Sequence, residues 1–234
     1  SALSGGGAGL LQFPALIWLV LPYSLALATH KAASVFLGLG SLGQHWRHSH
    51  LEKHLSWLVL CAGLPGVCLG ALLILKTPEK WALLALGILT LGLGLYSIYK
   101  KSIGLVYTPQ NRDGTKLWIG GSGLFVIGVL NGSITSGTGL FLTIWLIRWF
   151  GLDYQRAIAY TLVWCGVVWN GVGAVIMGSL GNIEWYWMPI LIAGSLLGGY
   201  IGTRFAINKG NRWMKRAFEV TTILAGLSII LKAM

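Results

Sequence analysis

Charge is what this sequence lacks. Asp and Glu together number six in 234 positions, against 17 Lys and Arg, and charged residues are 10% of the chain. An ordinary soluble domain carries about 25%. So few charges cannot solvate a water-facing surface of this size, which excludes a soluble globule. Cysteine is scarce as well: Cys61, Cys68 and Cys165 each sit in an apolar run. That argues against a disulfide framework, which needs paired cysteines in a small, loop-rich secreted chain. The first eleven residues hold no basic group, so no cleavable signal peptide is visible. The chain contains no phosphate-binding G-x-x-x-x-G-K-[ST] loop, no H-E-x-x-H zinc helix and no nucleophile–base constellation. An ATP-driven pump built from this chain alone is excluded, and neither enzymatic activity, a cofactor nor a metal is expected.

What is present is apolar. Hydrophobic residues make up 55% of the chain, with 34 Gly and 12 Trp, and the mean hydropathy is +0.72. Membrane helices tolerate Gly and anchor at the interface through Trp. The lipid bilayer is therefore a partner. The net charge of +11 speaks to orientation in that bilayer, not to nucleic acid.

Apolar runs long enough to span about 20 residues occupy 23–44, 56–75, 81–99, 154–178, 185–207 and 213–231. A polar stretch, 100–116, contains Pro109 and the turn-forming Asn111-Arg112-Asp113-Gly114. Two further segments are apolar but broken. Residues 117–150 are interrupted by Asn131-Gly132-Ser133-Ile134-Thr135-Ser136-Gly137-Thr138-Gly139, and residues 1–21 open with Ser4-Gly5-Gly6-Gly7-Ala8-Gly9. Such clusters disfavour a continuous helix. Within a bilayer a broken backbone survives only where it lines a cavity or is covered by protein.

The two halves match each other at a shift of about 130 to 132 residues. Gly7-Ala8-Gly9-Leu10 falls on Gly137-Thr138-Gly139-Leu140, Ala62-Gly63 on Ala193-Gly194, the pair Gly66 and Gly70 on Gly198 and Gly202, and Trp81 on Trp213. On this alignment Ser1 falls on Asn131, so the first half lacks a partner for 117–130, and an N-terminus extending upstream is expected. If 117–150 enters and leaves on one side, 13 of the 17 basic residues collect on one face, 3 on the other, with Lys31 inside the membrane. If the segment crosses once, the split is 7 against 9. The positive-inside rule favours the first arrangement. The expected fold is thus an all-α polytopic membrane protein of two inverted repeats, each a broken or re-entrant helix hairpin plus three transmembrane helices. Residues 1–100 form the first repeat, 101–116 a cytoplasmic linker and 117–234 the second. The loops 44–55, 100–116 and 208–216 fall on the cytoplasmic side.

The Ser4–Gly9 cluster before Pro14, Ala28-Thr29 about twenty residues on, and a second glycine-rich break near mid-chain resemble the TauE/SafE family of sulfite-exporter-like permeases. The resemblance covers nearly the whole chain, duplication included. It implies a multi-pass protein of the bacterial inner membrane that moves sulfur-containing anions such as sulfite, sulfonates or sulfoacetate. His30-Lys31 stands where the resemblance leads one to expect smaller polar residues.

The two breaks are the first candidate site. Ser4, Gly5 and Gly7 in one, and Ser133, Thr135, Ser136, Gly137 and Thr138 in the other, offer hydroxyls and backbone N–H groups to a small oxyanion. Close helix packing through small residues is the competing account, and it is the better one for the Gly66–Gly70 and Gly198–Gly202 pairs. The second candidate is Lys31, about eight residues and so roughly 12 Å inside its helix. A lysine there costs on the order of 3 kcal/mol on insertion scales. Either it binds the transported anion, with Thr29 and the breaks as hydrogen-bond donors, or it is a structural lysine paired with backbone carbonyls. His30 is a proton-coupling candidate, because an unperturbed imidazole titrates near pH 6.5; a buried, hydrogen-bonded imidazole is the alternative. His45, His48, His50 and His54 form a histidine-rich loop that reads as a solvated basic surface; whether it binds metal stays open. Glu219 is placed to pair with Lys215 one turn earlier.

Two function classes compete. One is a secondary transporter for a small anion. The other is a non-transporting membrane subunit that binds a partner protein, metal or cofactor, supported by the histidines and the Trp count. A homo-oligomer or a membrane complex partner is compatible with either.

Overall fold

The computed structural model describes residues 2, 12–13, 15–16, 21–48, 51–73, 79–133, 137–179 and 183–233. Every regular element among them is a helix. This is what lipid requires: a spanning chain must satisfy its own backbone polar groups, and a helix does so within one segment. In order these are α1 (Tyr23–His48), α2 (Lys53–Leu73), α3 (Glu79–Tyr99), α4 (Gly114–Ser133), α5 (Thr138–Phe150) and α6 (Tyr154–Tyr160). A π-helical segment (Thr161–Trp169), α7 (Asn170–Ser179), α8 (Met188–Lys209) and α9 (Asn211–Ala233) follow. Four stretches among the described residues are long and apolar enough to cross a membrane: Ser24–His45, Lys53–Leu73, Tyr154–Ser179 and Met188–Lys209. The apolar runs 81–99 and 213–231 fall inside α3 and α9.

The helices pair along their lengths. α2 lies along α4, α3 along α9, and α1 along α8, while α1 also packs on the π segment and α7. Glycine sets the closeness of the α2–α4 pair. A Cβ at Gly66 would stand 2.2 Å from the Phe125 carbonyl oxygen, and one at Gly70 would stand 2.1 Å from that of Val129. From the other side, Cβ atoms at Gly128 and Gly132 would stand 2.3 Å from Gly63 O and 2.2 Å from Val67 O. This is backbone-on-backbone contact between small residues, the usual way membrane helices associate where no hydrophobic force separates protein from lipid. The expected packing role of Gly66 and Gly70 therefore holds. Gly198 is different: it is exposed, with open space where a Cβ would go. Its neighbour Gly199 makes the close approach instead, to Leu37 O at 2.4 Å.

The apolar segment 117–150 is divided as its composition demands. α4 ends at Ser133, α5 starts at Thr138, and Gly137 between them takes the left-handed backbone, φ 87°. Two expected loops are shorter than the sequence suggested. α1 continues to His48 and α2 begins at Lys53, so His45, His48 and His54 are helical residues and His45 is buried; His50 lies outside the described residues. Nor is 208–216 a loop: α8 runs to Lys209, Gly210 alone turns the chain with φ 77°, and α9 starts at Asn211. The linker is likewise three residues shorter at its end, because α4 already begins at Gly114.

Candidate functional site

The broken helix and the buried lysine meet. Lys31, on α1, is fully buried. Its Nζ donates to the backbone oxygen of Asn131 at 2.7 Å and lies 3.4 Å from the same residue's Oδ1. Asn131 stands in the last described turn of α4, where the helix dipole favours a cation. The contact thus has a helix-capping component, as the structural account of Lys31 required. It does not neutralise the charge. No carboxylate pairs with Lys31 among the described residues. An ammonium has three hydrogens, and both acceptors recorded here belong to one asparagine.

The Asn131 side chain carries the contact onward. Its Nδ2 lies 2.9 Å from Thr138 Oγ1 at the start of α5, 3.3 Å from Asn170 Oδ1 on α7 and 3.4 Å from Cys165 Sγ in the π segment. One amide therefore ties both sides of the break to the helix opposite. α5 begins with no side-chain cap, so its first N–H groups add partial positive charge beside Thr138. Room for the lysine comes from Gly173 on α7. A Cβ there would sit 3.0 Å from Lys31 Cδ and 3.1 Å from Nζ. The π winding at Thr161–Trp169 ends one residue before Asn170. Such windings are rare and recur at functional sites.

The other sequence candidates distribute as follows. Gly137 and Thr138 flank the break beside Asn131. Ser133 ends α4 and turns its hydroxyl back to Val129 O at 2.8 Å. Thr29 sits about 200° around the helix from Lys31, and its Oγ1 accepts from the N–H of Glu184 at 2.9 Å; the structure does not bring it to the lysine. His30 is buried, with Nδ1 3.0 Å from Gln12 Oε1 and Nε2 3.2 Å from Ser34 Oγ. A proton on Nδ1 makes both bonds at once, with Ser34 donating to Nε2. Ser4, Gly5, Gly7, Thr135 and Ser136 lie outside the described residues. The sequence placed Asn131 in the break without assigning it to the lysine, and it did not assign Asn170 or Gly173 to Lys31 as neighbours. A glycine one turn after Asn170 on an apolar helix was the available signal.

Two polar clusters brace the helices elsewhere. Lys215 and Glu219 on α9 pair as expected, and Lys215 also donates to the backbone oxygen and the hydroxyl of Ser97 on α3. Ser97 Oγ reaches Glu219 Oε1 at 3.0 Å and the Tyr154 hydroxyl at 2.9 Å. Between α1 and α2, Glu52 pairs with Arg112 and accepts from the Tyr107 hydroxyl, and its backbone N–H donates to the Tyr160 oxygen at 2.7 Å. Burial, and then the Glu52 hydrogen bond, push the Tyr107 phenol above its ordinary pKa. Burial opposes the Arg112 charge, but the Glu52 carboxylate outweighs it and the guanidinium is held more firmly protonated than usual. Among the described residues no group of three His, Cys, Asp or Glu side chains could hold a metal ion.

Comparison with known proteins leads to a family of membrane transporters. The family described as "Sulfite exporter TauE/SafE" matches residues 1–229. A Haemophilus influenzae relative named "Probable membrane transporter protein" is 26% identical over 212 residues, covering 89% of this chain and 80% of the relative. The "Probable membrane transporter protein ORF9" of a Sinorhizobium species is 26% identical over 230 residues, covering 96% and 85%. The "Probable membrane transporter protein YfcA" of Escherichia coli strain K12 is 21% identical over 226 residues, covering 96% and 82%. No solved structure matches the chain.

Proposed function

The chain belongs to the sulfite exporter TauE/SafE family and is a multi-pass membrane transporter of the bacterial inner membrane, and from that premise we propose that it is a secondary permease for a small, sulfur-containing oxyanion. The carrying observation is Lys31: a fully buried lysine at a helix break, held by one asparagine and paired with no acid among the described residues. A buried charge is costly unless paired. An oxyanion seated between Lys31 and the start of α5 supplies the missing charge. In this reading the start of α5, with Gly137 and Thr138, faces the anion, and Thr135 and Ser136, outside the described residues, are further candidate donors; the Ser133 hydroxyl is already committed to Val129. Ser4, Gly5 and Gly7, also outside the described residues, are the candidates from the other half of the sequence. The anion is moved without covalent change, so the protein is a permease and not an enzyme. In this reading His30, next to the lysine in sequence, is the candidate for a coupled proton.

The proposal includes two inverted repeats. Inverted repeats with broken helices put substrate near the midplane where the repeats meet. In support, helices that correspond at the repeat shift lie against one another: α3 against α9, and α1 against the π segment and α7. In this reading the repeats are 1–100 and 117–234, joined by a cytoplasmic linker at 101–116. The test is uptake of radiolabelled sulfite into proteoliposomes, challenged by an unlabelled panel of sulfate, sulfonates and chloride, with and without a pH gradient. Saturable sulfite uptake that sulfur oxyanions compete away supports the proposal. Uptake equal to protein-free vesicles for every anion overturns it.

A further inference from the structure

A second cationic site lies away from Lys31, at the end of the bundle that carries the linker. Ile98, Lys101, Leu105, Arg212, Lys215, Arg216 and Glu219 line a cavity of about 400 Å3 where the C-terminal end of α3 meets the start of α9. Its single acid, Glu219, is already paired with Lys215. Lys101, Arg212 and Arg216 are exposed and make no ion pair among the described residues. Three uncompensated cations therefore converge on one hollow.

Their placement is unfavourable without an anion. Arg212 and Arg216 occupy the first turns of α9, where the helix dipole already places partial positive charge. Mutual repulsion adds to that. Directly beyond the hollow the two helices turn apolar surface outward: Leu95 and Ile98 on α3, Val220, Leu224 and Leu227 on α9, each more than 45% exposed. A soluble anion needs the charges alone. A phospholipid needs the charges and an apolar track beside them, and both are present. Basic pockets between membrane helices are recognised seats for anionic lipid head groups.

We propose that the hollow at the α3–α9 junction binds the phosphate of an anionic phospholipid, with its acyl chains along the exposed apolar seam of α3 and α9. Lys101, Arg212 and Arg216 contact the phosphate; Lys215 is held back by Ser97 and Glu219 and shapes the floor. The lipid braces α3 against α9 and leaves the Lys31 site untouched.

The experiment is native mass spectrometry of the full chain in detergent, titrated with phosphatidylglycerol or with phosphatidylcholine. The wild type retains phosphatidylglycerol preferentially. Near a membrane surface each basic side chain contributes roughly fivefold in affinity for anionic lipid. The triple variant Lys101→Gln/Arg212→Gln/Arg216→Gln should therefore lose affinity on the order of a hundredfold. The control Lys53→Gln/Arg204→Gln, which removes charge outside the hollow, should bind as the wild type does. These side chains are exposed, so folding is not at stake; the single variant Arg216→Gln, expected to lose roughly fivefold, is a second reading of the same site. Unchanged retention by the triple variant, or an equal loss in the control, overturns the proposal. So does displacement of the lipid by inorganic phosphate at matched concentration, which marks a soluble-anion site instead.

Discussion

Gly66 and Gly198 fall on each other when the two halves of the sequence are aligned, yet the structure predicts opposite responses to the same substitution. In Gly66→Ala the new methyl would stand 2.2 Å from the Phe125 carbonyl oxygen and 2.9 Å from the Val129 nitrogen. Both atoms are α4 backbone, so no rotamer change relieves the clash. For an ordinary contact the helices must separate by roughly 1 Å, and overpacking of this kind costs about 1–3 kcal/mol. In a chain of this size each kcal/mol is worth roughly 2–4 °C in Tm, so Gly66→Ala should melt on the order of 5 °C lower. Gly198→Ala meets open space and gains about 1 kcal/mol of helix propensity at most; its Tm should be unchanged or slightly raised. Separation of α2 from α4 also moves Asn131, whose carbonyl near the end of α4 accepts from Lys31, so Gly66→Ala should lose transport beyond its loss of folded protein. The assay is thermal unfolding in detergent followed by tryptophan fluorescence, with sulfite uptake measured in parallel. Equal melting temperatures for the two variants would refute the packing argument.

Three other outcomes follow from named contacts. Asn131→Asp hands Lys31 an internal carboxylate that competes with a bound anion, so sulfite uptake should fall at least tenfold while Tm holds or rises; retained uptake speaks against an anion at Lys31. In Gly173→Ala the methyl presses only on the flexible end of Lys31, at 3.0–3.2 Å, so the protein should fold normally and show a KM raised severalfold; loss of folding instead would mean that α7 packs there through backbone. Lys215→Met strands a largely buried Glu219 carboxylate and should destabilise by about 3–5 kcal/mol, and adding Glu219→Gln should recover most of that; a double variant no better than the single contradicts an ion pair.

The helices, the division of 117–150 and the burial of Lys31 were legible because each follows from local composition. A run of apolar residues must be helical in lipid, a cluster of Gly, Ser, Thr and Asn must interrupt it, and a lysine eight residues inside a span must find a partner. What was not legible depends on distance in sequence. Asn131 reaches Lys31 across 100 positions, and nothing near either residue announces the other. Cys165 and Asn170 join the same cluster only because a π winding sets their phase, and an apolar run such as Thr161–Trp169 carries no mark of it. Thr29 illustrates the reverse error. Adjacency in sequence suggested a shared site, but two residues along a helix is about 200° of rotation, and its hydroxyl serves Glu184 instead. The histidines looked like a loop because polar residues cluster there, whereas α1 continues through His45 to His48 and His54 already belongs to α2.

The measurement that bears most directly on the account is sulfite flux by Lys31→Met in proteoliposomes, with Lys31→Arg beside it and both matched to wild type in reconstituted amount and Tm. If Lys31 binds the transported anion, Met abolishes saturable flux because shape without charge cannot hold an oxyanion, and Arg retains part of it. If a folded Lys31→Met protein carries sulfite at the wild-type rate, the lysine is only the cap of α4 and the anion binds elsewhere.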